Sequence, residues 1–65
     1  MTQIIPTDVY DREGNLLRIE YHNLEGDFEI QAEWNPQEEQ TSENRENFRK
    51  WATTMVKRLN YEVKT

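Results

Sequence analysis

Residues 48–61 read FRKWATTMVKRLNY, and they set five of the chain's larger apolar side chains among four cations. Two readings compete: a basic surface for nucleic acid, or one helix covering one sheet. Phe48, Trp51, Ala52, Met55, Val56 and Leu59 recur at helical spacing, which favours the covering helix. Extended backward, the stripe meets Asn44 and Thr41, which are polar. Asn35 followed by Pro36 also has the form of a helix start. The stripe decides between them and predicts a packed helix over about 42–59, with Thr41 or Ser42 as cap and Asn60 as a left-handed stop.

A helix with one apolar face needs a sheet to cover. FEIQAEW, residues 28–34, alternates strictly, with Phe28, Ile30, Ala32 and Trp34 on one face. LLRIEY sets Leu17, Ile19 and Tyr21 inward, and Ile5, Thr7 and Val9 form a weaker third run. DREGN suits a type I turn closed by a left-handed Gly14, giving a three-residue hairpin loop. Pairing Asp11 with Asn15 then brings Val9 opposite Leu17, Thr7 opposite Ile19 and Ile5 opposite Tyr21. In NLEGD, a two-residue Glu25–Gly26 loop is preferred, with Tyr21 opposite Ile30 and His22 opposite Glu29, because the alternative sets Glu20 across from Glu29.

The expected fold is α+β: a three-stranded antiparallel β-meander packed against one C-terminal helix, a βββα order within one domain spanning residues 1–65. The strands are predicted at about 4–10, 16–23 and 28–34, and the tail YEVKT has the pattern of a short fourth strand. A chain of 65 residues buries only ~60% of its unfolded surface, so stability is expected to be marginal unless an oligomer interface, such as a homodimer, adds to it.

Composition excludes much chemistry. No cysteine is present, which removes disulfides, thiolate nucleophiles and cysteine zinc sites and fits a reducing compartment. The N-terminus shows no basic segment followed by an apolar run, and no stretch nears the ~20 apolar residues that cross a bilayer, so a soluble cytoplasmic chain is expected. Both glycines are taken by turns, leaving none for a phosphate loop. Ser42 is the only serine and His22 the only histidine. The α-carbons of Glu29 and Glu33 would lie about 13 Å apart along a strand, while a retaining glycosidase pair needs about 5 Å between carboxyls. No enzymatic activity, cofactor or metal is expected.

The net charge is −5, divided unevenly: residues 1–44 hold eleven acids and two bases, residues 45–65 two acids and six bases. On the helix, Arg49, Lys50, Lys57 and Arg58 are the residues a nucleic-acid interface would use. Acids near the helix start and bases near its end are also the order the macrodipole favours, and that explains the asymmetry without a ligand.

The sheet face away from the helix is expected to carry Asp8, Arg18, Glu20, Glu29 and Glu33, summing to −3. In size and charge this resembles the class of small acidic viral inhibitors that imitate nucleic-acid phosphates, without any shared motif. Tyr10 and Leu16, paired on the same face, would supply an apolar anchor for a partner or a second copy. The functional expectation is therefore a non-enzymatic protein-interaction module, an inhibitor or adaptor for a larger protein with a basic surface. Its binding residues would be Asp8, Tyr10, Leu16, Glu20, Glu29 and Glu33, with the basic helix as the alternative.

Overall fold

The computed structural model describes residues 1–64. Strands β1 (Thr2–Tyr10), β2 (Leu16–Asn23) and β3 (Phe28–Glu33) precede helix α1 (Ser42–Arg58) and a short β4 (Tyr61–Val63). The sheet order is β3-β2-β1-β4; β1, β2 and β3 form the antiparallel meander, and β4 lies parallel to β1. The fold is the expected α+β arrangement, with the fourth strand present.

The two corners of the meander are built alike. In the first, Asp11 Oδ1 accepts from the amides of Glu13 and Asn15, both at 2.9 Å, and Gly14 takes φ 83°. In the second, Asn23 Oδ1 accepts from the amides of Glu25 (2.9 Å) and Asp27 (3.0 Å), and Gly26 takes φ 90°. Each loop holds three residues, closed by Asp11–Asn15 and Asn23–Asp27 backbone bonds at 2.9 and 2.8 Å. The second loop is thus one residue longer than the Glu25–Gly26 turn expected, because the side-chain oxygen of Asn23 organises it as Asp11 does the first.

A β-bulge follows each corner. In β2 the pairing passes from Tyr10–Leu16 to Val9–Arg18, leaving Leu17 unpaired. In β3 it passes from His22–Phe28 to Tyr21–Ile30, leaving Glu29 unpaired. A slip of one residue exchanges the faces of a strand. Val9 therefore pairs with Arg18, Thr7 with Glu20 and Ile5 with His22, instead of Leu17, Ile19 and Tyr21. Ile4 and Leu16 are buried; Ile5 and Leu17 are exposed. Phe28 turns outward to meet His22 edge-on, with ring centroids 5.9 Å apart. The pairs Tyr21–Ile30, Ile19–Ala32 and Arg18–Glu33 stand as expected.

The first bulge is clasped by a residue distant in sequence. Gln40 applies its side-chain amide to the backbone of Leu16 as a neighbouring strand would. Leu16 N–H donates to Gln40 Oε1 and Gln40 Nε2 donates to Leu16 O, each at 3.0 Å. Arg45 Nε donates to the same Oε1 at 2.9 Å, and its Nη2 reaches Gly14 O at 3.0 Å. Loop, helix and first corner are thereby joined at the point where the register shifts.

Helix α1 starts where the polar break placed it: Thr41 caps it, accepting from Asn44 N–H at 3.0 Å, and Asn60 stops it with φ 68°. Its rotation differs from expectation. Ala52 and Val56 meet Ile4, Ile19 and Tyr21 in the core, with Phe48, Ile30, Ala32, Tyr61 and Val63 packed around them. Trp51 and Leu59 remain 53% and 54% exposed, and Met55 is also on the surface. On the opposite flank Arg49 pairs with Asp8, which the bulge has brought to the helix side.

Ile4 O accepts from Lys64 N–H at 2.8 Å, so even-numbered residues of β1 direct their backbone polar groups toward β4. Pro6 lies two residues on, past the end of the β4 pairing, and its missing N–H is not needed there.

Replacing Gln40 with Ala should cost about 2 kcal/mol, because it strands the amide and carbonyl of a buried residue. Urea unfolding measures this; a change under roughly 0.5 kcal/mol would mean that the bulge holds without the clasp.

Candidate functional site

Local geometry disperses the binding set read from the sequence. Asp8 and Tyr10 are not on the outer sheet face. Tyr10 O–H donates to Asp8 Oδ2 at 3.0 Å, Arg49 donates to both, and the Arg45 guanidinium lies 6.0 Å from the Tyr10 ring centre. Leu16 is 1% exposed and anchors nothing outside the core. Glu29, as the bulge residue, accepts from Asn23 Nδ2 at 2.8 Å instead of facing His22. Glu20 and Glu33 keep the places expected, in line with Arg18 and Gln31 on the outer face.

That outer face is consequently mixed. Its rows are Val9–Arg18–Glu33, Thr7–Glu20–Gln31 and Ile5–His22–Phe28. Glu20 is shared between Arg18 Nε at 2.8 Å and His22 Nε2 at 3.0 Å. The Arg18 hydrogen bond, then that of His22, holds its carboxyl below the usual range. With Asp8 and Glu29 withdrawn, little unbalanced charge remains in these rows.

The basic helix face is also partly spent. Arg49 is engaged by Asp8, whose hydrogen bond raises the guanidinium pKa further. Lys50 lies 3.9 Å from Glu46, while Lys57 and Arg58 stand exposed in the last turn.

The arrangement that combines apolar surface with unbalanced acid is elsewhere, on either side of the 34–41 loop. Trp34 leaves β3 into the core and donates from Nε1 to Glu38 O at 3.3 Å. Asn35 turns the chain behind it, its Oδ1 accepting from Gln37 N–H and its carbonyl from Glu38 N–H. On one side an open groove of about 560 Å³ runs past Leu16, Leu17, Trp34 and Pro36, with Asp11, Glu33 and Glu38 on its walls. On the other, a groove of about 270 Å³ is lined by Trp34, Phe48 and Trp51, with Asn35, Asn44, Asn47 and Glu38. The grooves share Trp34 and Glu38, and neither is lined by a lysine, arginine or histidine.

The second groove owes its aromatic lining to the rotation of α1. Phe48 stands edge-on to Trp34, with centroids 5.1 Å apart at 76°, and stacks with Trp51 at 6.0 Å and 26°. Helical spacing alone places Trp51 in the core. The sequence signal for the loop was WNPQEEQ, an indole followed by acids, which reads equally well as a plain connection.

Among the described residues, no group of three or more His, Asp or Glu is placed to hold a metal ion, and no helix is long and apolar enough to cross a membrane. No family model matches the chain, and no curated protein or solved structure shows a significant match to it.

Two outcomes follow from these placements. The Asp11 carboxyl lies below its usual range, chiefly through the Asn15 amide, as Glu20 does through Arg18. A depressed folded pKa contributes stability above the unfolded value and loses it as pH falls through the folded one. Stability should therefore decline below about pH 4, and Asp11→Asn with Glu20→Gln should flatten that decline in acid titrations followed by circular dichroism. Separately, Trp51→Ala should change unfolding free energy by less than about 1 kcal/mol, against about 3 kcal/mol for Ile19→Ala.

Proposed function

We propose that this chain is a small acidic, non-enzymatic protein-interaction module that acts in the cytoplasm as an inhibitor or adaptor. Its binding surface is the end of the molecule around the 34–41 loop, in place of the outer sheet face. One observation carries the reading: two adjoining grooves are lined by apolar side chains together with acidic residues, and by no lysine, arginine or histidine. Desolvating such a surface against an apolar partner would strip water from its carboxylates with no cation to replace it, which is costly; a partner presenting arginine and lysine beside apolar groups offsets that cost. The partner class is thus a protein with a basic surface, of the kind that nucleic-acid-handling proteins carry.

Several features support this placement over the alternatives. Glu39 in the loop and Glu43 in the first turn of α1 are two more acids at this end of the chain, against one cation, Arg45, which is held by Gln40 and Gly14. Leu17 and Trp51 give each groove an exposed apolar side chain, the usual composition of an interface core beside a polar rim. Acids here also steer a basic partner during approach, an effect that salt weakens.

The test is capture by the immobilised chain, comparing the natural sequence with a Glu33→Lys, Glu38→Lys, Glu39→Lys variant. Proteins retained by the first at low salt should be lost from the second, and should elute as salt rises. Glu62→Lys, on the outer face of β4 away from the loop, is the control and should retain them. Equal retention by both variants would remove the acidic end from consideration. Tight DNA or RNA binding abolished by Lys57→Glu with Arg58→Glu would transfer the role to the helix.

A further inference from the structure

Resting on the basic-partner reading, we propose that the groove between Trp34 and Trp51 is the seat of a single arginine side chain from that partner. The volume, about 270 Å³, is below the usual range for a small-molecule pocket and suits one long side chain. Its surfaces are chemically particular. Trp34, Phe48 and Trp51 supply aromatic lining, and the half-exposed Trp51 leaves ring surface to solvent. A guanidinium is planar and weakly hydrated, so it can stack on an indole while losing little hydration.

The polar groups of the groove fit the same occupant. Asn44 commits its Nδ2 to Glu39 O at 2.9 Å, which fixes the amide and leaves Oδ1 as an acceptor. Asn47 adds a second side-chain amide, and Glu38 a carboxylate. Arginine presents five N–H donors and no acceptor, and so can meet two amide oxygens and a carboxylate while its plane lies on a ring. Lysine offers a compact, strongly hydrated charge that gains less from the rings. An anion would face the Glu38 carboxylate with no cation in the lining to offset it. An aliphatic side chain would leave the amide and carboxylate oxygens unpaired.

The chain reports on this groove directly, because its only two tryptophans both line it. Blocked Gly-Gly-Xaa-Gly-Gly peptides, with Xaa arginine, lysine or citrulline, are titrated into the intact protein, and the two indole N–H resonances are followed by NMR. The arginine peptide should shift both signals saturably. Lysine should bind about 5-fold more weakly, and citrulline, which keeps the shape without the charge, should produce no saturable shift. Glu38→Gln should weaken arginine binding about 3-fold. Trp51→Ala should abolish it, with the Trp34 signal and its dispersion confirming a folded protein.

Equal binding of arginine and lysine would overturn the arginine seat and leave a merely acidic surface. Saturable shifts confined to backbone amides outside the groove would also overturn it. Absence of binding by any peptide rejects the seat as well; the capture experiment with the Glu33, Glu38 and Glu39 reversals then decides separately whether the acidic end binds a basic protein.

Discussion

The fold turns on one side-chain amide. Gln40 bonds both polar groups of the Leu16 backbone at 3.0 Å, where β2 departs from regular pairing. Leu16 faces the interior and Leu17 does not, so this point decides which face each residue of β1 shows for the rest of its length. The two buried backbone groups would otherwise lack partners, at a cost of about 1–3 kcal/mol each. Arg45 ties the same oxygen to the helix and to Gly14, so the corner, loop and helix start move as one piece. A small chain with few core residues gains specificity from such polar joints as well as from apolar burial.

The displaced register then sets the helix. With Asp8 and Tyr10 facing α1, Arg49 has partners on that flank. The buried line becomes Ala52 and Val56, two modest side chains, while the bulky Trp51 and Leu59 are carried to the surface. An apolar core alone would favour the opposite rotation. The ion pair and its tyrosine hydrogen bonds are only half-buried, so their strength is modest, but they are directional where apolar packing is not. The aromatic groove beside Trp34 is a by-product of that rotation.

Much of the architecture was legible because it is encoded over short spans. Alternation over residues 30–34, the turn signal in DREGN, the Thr41 cap and the Asn60 stop all depend on neighbours within a few residues, and each appears in the structure. The bulges were not legible. Leu17 and Glu29 carry no local mark, and strict period two is the simplest reading of their strands. The side chain that clasps the first bulge lies 24 residues away in sequence, at Gln40. Because one bulge reverses faces, a single missed residue moved Asp8, Tyr10 and Leu16 together, and the binding surface inferred from them moved too. Glu20 and Glu33, on the correctly paired stretch of β2 and β3, kept their places.

Pro6 has a consequence for the molecule as one of many in solution. β4 shields only Thr2–Ile4 of its neighbour, so the remainder of that strand borders open solvent on one side. An unshielded border of this kind invites another chain to add itself and begin an ordered stack. A ring nitrogen without hydrogen interrupts the ladder at the first residue in line for such docking, two positions beyond Ile4. The short last strand and the proline together oppose growth of that kind along this border.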